Sequence, residues 1–204
     1  MLNANETSVT PEMDRHNGRI FLFSYLMIFL SAPAVYVGVV QAALCDQLGA
    51  RAAVANLPAA AYLLGQVAPL ICSWLVPHRL EKETVVWASR LWAALVIMVL
   101  ISLLFPFSAS VRIGALTAQG LFQGIAASVA QVFAYQCLSR GTTDRGRARA
   151  FKWTYAIGPI GAVTGSLAAQ YCLKPGFSWA PFPYNFALIY GMAVPCIVAM
   201  TVLN

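Results

Sequence analysis

Six glutamines, Gln41, Gln66, Gln119, Gln123, Gln131 and Gln136, fall inside or at the edges of strongly apolar stretches. A buried amide carries a desolvation penalty unless it finds a hydrogen-bond partner, so these residues either line a polar path or tie elements together. Gln119, Gln123 and Gln131, at spacings of four and eight, fall near one side of a helix and form the most continuous stripe. Pathway and interhelical tie both stay open at this point. Tyr25, Tyr62, Tyr135 and Tyr155 add phenols, each with an apolar ring and a hydrogen-bonding tip. Amides and phenols together suit recognition of a neutral or zwitterionic solute.

Bond-making chemistry has little to work with. His16 lies in a polar tail and His78 in a loop, and neither has a nucleophile and acidic partner at a useful spacing. Cys45, Cys72, Cys137, Cys172 and Cys196 include no CxxC, and an odd number of thiols cannot all pair within one chain. No phosphate-cradling glycine loop is present. No enzyme activity, metal or cofactor is expected.

The elements that must carry the amides are six apolar runs, residues 20–41, 53–76, 85–107, 113–138, 153–173 and 186–203. Hydrocarbon about 30 Å thick takes roughly 20 apolar residues of helix, so each approaches or meets the length of a membrane span. The chain is expected to be an all-α polytopic membrane protein of six transmembrane helices, with a polar cytoplasmic tail at 1–19 and a membrane domain at 20–204. The internal connections are short, so function must reside in the bundle or in something it contacts.

With six crossings, Arg15, Arg19, Arg79, Lys82, Arg90, Arg140, Arg145, Arg147, Arg149 and Lys152 share one side, and Arg51, Arg112 and Lys174 the other. That asymmetry places both ends of the chain in the cytoplasm, in a plasma or inner membrane. The formal charge of +6 is spread over short juxtamembrane clusters suited to anionic headgroups, so membrane lipids and not nucleic acid are the expected polyanionic partner. Asp46, Arg90 and Arg112 fall near the ends of runs and not at mid-depth, which leaves no intramembrane group for a proton relay.

Small residues indicate where helices approach. Gly120 and Gly124 are four apart, as are Gly161 and Gly165, so each pair presents a shallow groove to a neighbouring backbone. Pro33, Pro58, Pro69 and the Gly158-Pro159 pair are expected to bend their helices and free carbonyls.

Three stretches resemble the major facilitator superfamily of secondary transporters. Asp144-Arg145-Gly146-Arg147-Ala148 looks like the acidic-Arg-Gly-Arg-Ala element between its fourth and fifth spans. Gly158-Pro159-Ile160-Gly161-Ala162 is similar to its glycine-proline motif, with Ala162 where a second glycine often stands. Gln123-Gly124-Ile125-Ala126-Ala127 resembles its Gln-Gly stretch, but Gly120 replaces the arginine expected three positions before the glutamine, which removes that group from any proton coupling. The 74–82 loop lacks the usual glycine and aspartate gating pattern.

The resemblance implies one six-helix half of a twelve-span transporter, with a second half in cis or in another subunit as partner. It further implies cytoplasmic gating by Asp144, Arg145 and Arg147, and the opposed charges of Arg79, Glu81, Lys82 and Glu83 are candidates for a cytoplasmic latch in spite of the missing pattern. Substrate-cavity contacts would come from Tyr25, Tyr36, Gln41, Gln119 and Gln123, acting on a small solute by alternating access. The apolar ending at Val202-Leu203-Asn204 is expected of a truncated chain. A non-transporting scaffold or assembly factor built on the same bundle is the alternative.

Overall fold

A computed structural model describes residues 9–174 and 179–203; residues 1–8 of the polar tail and Asn204 lie outside the described residues. Every regular element within them is helical: α1 (Pro11–Leu30), α2 (Ala32–Val35), α3 (Val39–Gln47), α4 (Ala52–Ala55), α5 (Leu57–Gly65), α6 (Ala68–Leu75), a 3-10 turn (His78–Leu80), α7 (Glu81–Leu104), α8 (Ala109–Gly141), α9 (Asp144–Leu173) and α10 (Tyr184–Leu203).

Four segments, Ala52–Leu75, His78–Leu104, Ala109–Gly141 and Tyr184–Leu203, are long and apolar enough to cross a membrane. The chain is a helical membrane protein. The first and fifth apolar runs do not reach that standard as single helices. The first is divided among α1, α2 and α3, and the fifth is diluted by Gly158, Gly161, Thr164, Gly165, Ser166 and Gln170.

Proline position explains where helices break. Pro33, Pro58 and Pro69 each stand in the first turn of α2, α5 and α6, where the missing N–H would have had no intrahelical acceptor and the ring starts a new helix. The first run is therefore a chain of short helices, while the second, interrupted at Asn56 and at Gln66-Val67, still makes one membrane-length segment. Pro159 and Pro195, by contrast, lie inside α9 and α10, which continue through them.

The helix starts follow from hydroxyl caps. Thr10, Ser108 and Thr143 accept from the backbone N–H of Met13, Val111 and Gly146 at 3.2, 3.4 and 3.1 Å, opening α1, α8 and α9. Because Thr10 caps a helix with Pro11, Glu12 and Asp14 in its first turn, the 11–19 portion of the expected polar tail is the start of α1. Between α8 and α9 only Thr142 and Thr143 stand outside helix, in line with the short connections expected. At the far end of the α7/α8 hairpin, Arg112 donates to the carbonyls of Ser102 and Phe105 at 3.0 and 3.2 Å, capping the end of α7.

Packing follows a fixed set of neighbours: α8 against α5 and α7, α1 against α9 and α10, and α7 against α10. The α5/α8 crossing brings backbone against backbone at three glycines. A Cβ on Gly120 would strike the backbone of Pro58, one on Gly124 the backbone of Tyr62, and one on Gly65 the backbone of α8 at Leu121 and Ile125. Gly165 lies in the same way on the Leu30 carbonyl, where α1 ends, while Gly161 faces Leu26 and Gly158 the ring of Phe29. The main core joins α1, α2, α3, α7, α8, α9 and α10 around Val35, Leu44, Val96, Leu116, Phe186, Tyr190 and Ile197.

Candidate functional site

Breaking the first run leaves carbonyls at Ala34 and Val35 without helical donors, deep in the protein. Three glutamines supply them. Gln41 Nε2 and Gln119 Nε2 each donate to the Ala34 carbonyl at 3.1 Å, and Gln123 Nε2 donates to the Val35 carbonyl. The same side chains close on one another. Gln41 Nε2 donates to Tyr190 Oη at 3.2 Å, Tyr190 donates to Gln119 Oε1 at 3.0 Å, and Gln119 Nε2 donates to Gln123 Oε1 at 2.9 Å. Gln41 Oε1 accepts from the Gly38 N–H at 2.9 Å, so each amide in the ring has both a donor and an acceptor engaged. Gln41, Gln119 and Gln123 are fully buried.

These three expected cavity contacts are thus placed in an interior tie, and Gln131 is not with them. At 100° per residue the twelve positions from Gln119 to Gln131 turn the stripe by about 120°. Gln131 is exposed and donates to Tyr135 Oη at 3.0 Å, and that hydroxyl lies 2.7 Å from Tyr155 Oη.

Gln131 instead lines a cavity of about 370 Å³ between α1, the α5/α6 segment, α7 and α8. Its volume is at the small end of ligand pockets. Tyr25 and Tyr36, the other two expected contacts, both line it, as do Phe21, Tyr62 and Trp92. Ser24, Gln66, Ser89 and Ser128 supply the remaining polar groups, and none of the lining residues is Asp, Glu, Lys, Arg or His. Tyr36, Gln66, Leu70 and Gln131 are exposed, so the cavity opens on the surface.

Trp92, Ser24, Ser89 and Ser128 did not stand out as cavity residues in the sequence. The signal was helical spacing: Phe21, Ser24, Tyr25 and Ile28 share one face of α1, and Val85, Ser89 and Trp92 one face of α7. Trp92 is 4% exposed, and its indole N–H finds no acceptor among the described residues. On the other side of the wall, Tyr25 stacks on Tyr135 with centroids 6.0 Å apart and lies 4.4 Å from the Phe21 ring.

A second cavity of about 440 Å³ adjoins the first, sharing Phe21, Val85 and Ala134, and reaches His16, Asn17 and Lys82. Charged residues gather at this end. Glu81, 4% exposed, is held by Arg140 at 2.8 Å and by His78 Nδ1 at 2.9 Å. Arg140 Nη2 also lies 2.9 Å from that nitrogen, which can donate to Glu81 or accept from Arg140 but not both. Glu81 therefore locks α7 to α8. Arg79, Lys82, Glu83 and Arg145 form no ion pair among the described residues, and Asp144 pairs with Arg147 at 2.6 Å.

The Asp144–Ala148 element is the first turn of α9 and not a separate glycine turn. Its glycine makes room for Asp14: a Cβ on Gly146 would overlap the Asp14 carboxylate. Asp14 Oδ1 accepts from the Thr143 N–H at 2.6 Å and from Thr143 Oγ1 at 3.0 Å, placing a negative charge on the positive end of the α9 dipole. Asn17 Nδ2 donates to the Gly141 carbonyl at 2.7 Å beside it. Asp14→Ala removes the acceptor of both bonds and is expected to cost about 1 kcal/mol, so amide exchange at Thr143 should speed by about fivefold. Unchanged exchange there would show that Asp14 is not a cap.

No family model, no characterised protein and no solved structure matches the chain.

Proposed function

We propose that this chain is one six-helix half of a secondary transporter of the major facilitator type, moving a small solute by alternating access with a second half. The cavity carries this reading: an uncharged, hydrogen-bonding hollow on the surface of the bundle is what a substrate path needs and what a purely structural bundle does not.

The helix neighbours give independent support. Exchanging α1 with α8, α5 with α9 and α7 with α10 converts the α1/α9 contact into α8/α5 and the α1/α10 contact into α8/α7, and leaves α7/α10 unchanged. Those are the principal pairings of the bundle. If α1 to α3, Ala52–Leu75 and α7 each cross, as do α8, α9 and α10, each triple crosses an odd number of times, so the second runs inverted to the first. Six crossings put Arg15, Arg19, Arg140, Arg145, Arg147 and Arg149 on the cytoplasmic face of a plasma or inner membrane, against anionic lipid.

A scaffold accounts for the glycine contacts equally well but gives the polar cavity no role. The two readings separate on access. With the five native cysteines replaced by serine, a Gln131→Cys chain in native membranes should react with an impermeant maleimide added from either side. Labelling from one side alone, in every condition tried, excludes alternating access and leaves the scaffold.

A further inference from the structure

Three arginines share a cavity of about 340 Å³ at the amino-terminal ends of α1 and α9, where Arg15, Arg19 and Leu22 of α1 and Arg149 and Trp153 of α9 line it together with Asp14. The two helices run side by side in the same direction: Gly146 makes room for Asp14, Gly18 faces Ala150, and Gly161 faces Leu26. The arginines of both helices therefore sit at one face of the membrane, just ahead of the apolar runs that begin at residues 20 and 153. That is headgroup depth, and Trp153, exposed at the edge of the cavity, suits the same level.

Three other arginines are satisfied by the protein: Arg140 by Glu81, Arg147 by Asp144, and Arg112 by the carbonyls that end α7. Arg15, Arg19 and Arg149 form no ion pair among the described residues, and Asp14, the acid on their wall, has Oδ1 engaged by Thr143. Like charges gathered at the edge of a low-dielectric layer repel one another until an anion joins them. A phosphate group is the anion that guanidinium forks match best at this depth.

The surface beyond the arginines indicates what carries the phosphate. Trp153, Ile160 and Leu167 are all exposed and fall within about 40° of Arg149 around α9. An acyl chain covers such a stripe, and a free phosphate does not. Around α9, Arg149 stands about 120° and Trp153 about 160° from Tyr155, whose hydroxyl meets that of Tyr135 beside the polar cavity. The arginine groove thus lies on the far side of α9, and a second half seated over the polar cavity leaves it open to lipid.

We propose that the α1/α9 groove binds one anionic phospholipid, its phosphate held among Arg15, Arg19 and Arg149 and an acyl chain laid along Trp153, Ile160 and Leu167. The proposal needs these helices in a membrane and not the transport reading, so either can fail alone.

The delipidated full chain in detergent is titrated with dioleoyl phosphatidylglycerol or dioleoyl phosphatidylcholine, and bound lipid is counted by native mass spectrometry. The anionic lipid is expected to bind at least about tenfold more tightly. Arg19→Gln with Arg149→Gln should weaken it by about tenfold or more, each arginine beside an anionic headgroup being worth about fivefold. Arg79→Gln with Arg90→Gln, an equal loss of exposed charge elsewhere, should change it by less than about twofold. In the unaltered chain, phosphatidylglycerol should shield Arg19 and Arg149 from phenylglyoxal, read by peptide mass spectrometry, and inorganic phosphate should not.

Equal affinity for the two lipids overturns the anionic class. Equal loss in the two double variants, or Arg19 and Arg149 still reactive with lipid bound, overturns the site. Shielding by inorganic phosphate as complete as that by the lipid overturns the lipid as its occupant. The shielding arm uses the unaltered chain, so it decides the place even if the arginine variants fail to fold.

Discussion

Gly124→Ala should destabilise the protein by about 3 kcal/mol or more, while Gly114→Ala, on the same helix, should stabilise it by about 0.4–1 kcal/mol. The two glycines differ in what a methyl group would meet. At Gly114 nothing stands within 4 Å, so alanine brings its better helix propensity and a less flexible unfolded chain. At Gly124 the new carbon would overlap the carbonyl group and Cα of Tyr62, and backbone in a helix cannot rotate aside as a side chain can. Relief requires α5 and α8 to separate, which also loosens Gly120 from Pro58 and Gly65 from Leu121 and Ile125. Gly120→Ala should cost a similar amount, and the double variant much less than the sum, because the first methyl has already parted the helices. Denaturant unfolding of the wild type and the four variants in one detergent checks this. Equal stability of Gly114→Ala and Gly124→Ala would mean that α5 and α8 are not in backbone contact. Separation would reach the cavity too, since Tyr62 on α5 and Ser128 and Gln131 on α8 are parts of its wall.

That crossing was legible in the sequence because two glycines four apart can mean little else in a long apolar helix. The extents of α7, α8 and α10 were legible for a similar reason: continuous apolar runs free of first-turn prolines have one helical solution. The second run matches the membrane-length segment Ala52–Leu75, but the first is divided among α1, α2 and α3, a break that hydropathy does not register. The start of α1 lay in plain view as Thr10-Pro11-Glu12, a capping signal hidden by the charge of the residues after it. The site was less accessible. Whether a glutamine faces a cavity or a broken backbone depends on partners distant in sequence, as Gln119 and Gln123 depend on Ala34 and Val35. The Glu81–Arg140 pair joins residues on different helices and leaves no local pattern. Trp92 looked like one more apolar residue in an apolar run.

Gln119→Leu should cost about 2–3 kcal/mol, more than any substitution on the exposed cavity wall. Leucine is close in volume, so the loss is one of hydrogen bonds and not of packing. Gln119 is the member that touches most of the ring: it receives the Tyr190 hydroxyl, feeds Gln123 Oε1 and shares the Ala34 carbonyl with Gln41. Removing it leaves the Tyr190 donor and the Gln123 acceptor buried without partners, at about 1–3 kcal/mol for each group left unmade. Ala34 keeps Gln41, so the opening between α2 and α3 loosens without coming apart. Interhelical hydrogen bonds in membrane proteins average less than this, about 0.6 kcal/mol, because partners are replaced from elsewhere in the bilayer-embedded chain. Here replacement is blocked: Gln41, Gln119, Gln123 and Tyr190 are all sealed from the surface. Tyr190→Phe should cost less than Gln119→Leu, and the double variant little more than Gln119→Leu alone, since Tyr190 then has no acceptor left to lose. Additive costs in that cycle would show that the two side chains are not joined. Hydrogen exchange gives the local readout, with the Gly38 amide, held by Gln41 Oε1, opening sooner in Gln119→Leu. The amide ring fixes the unwound 36–38 segment, and Tyr36 stands on the cavity wall within it, so the buried glutamines set the site they do not touch.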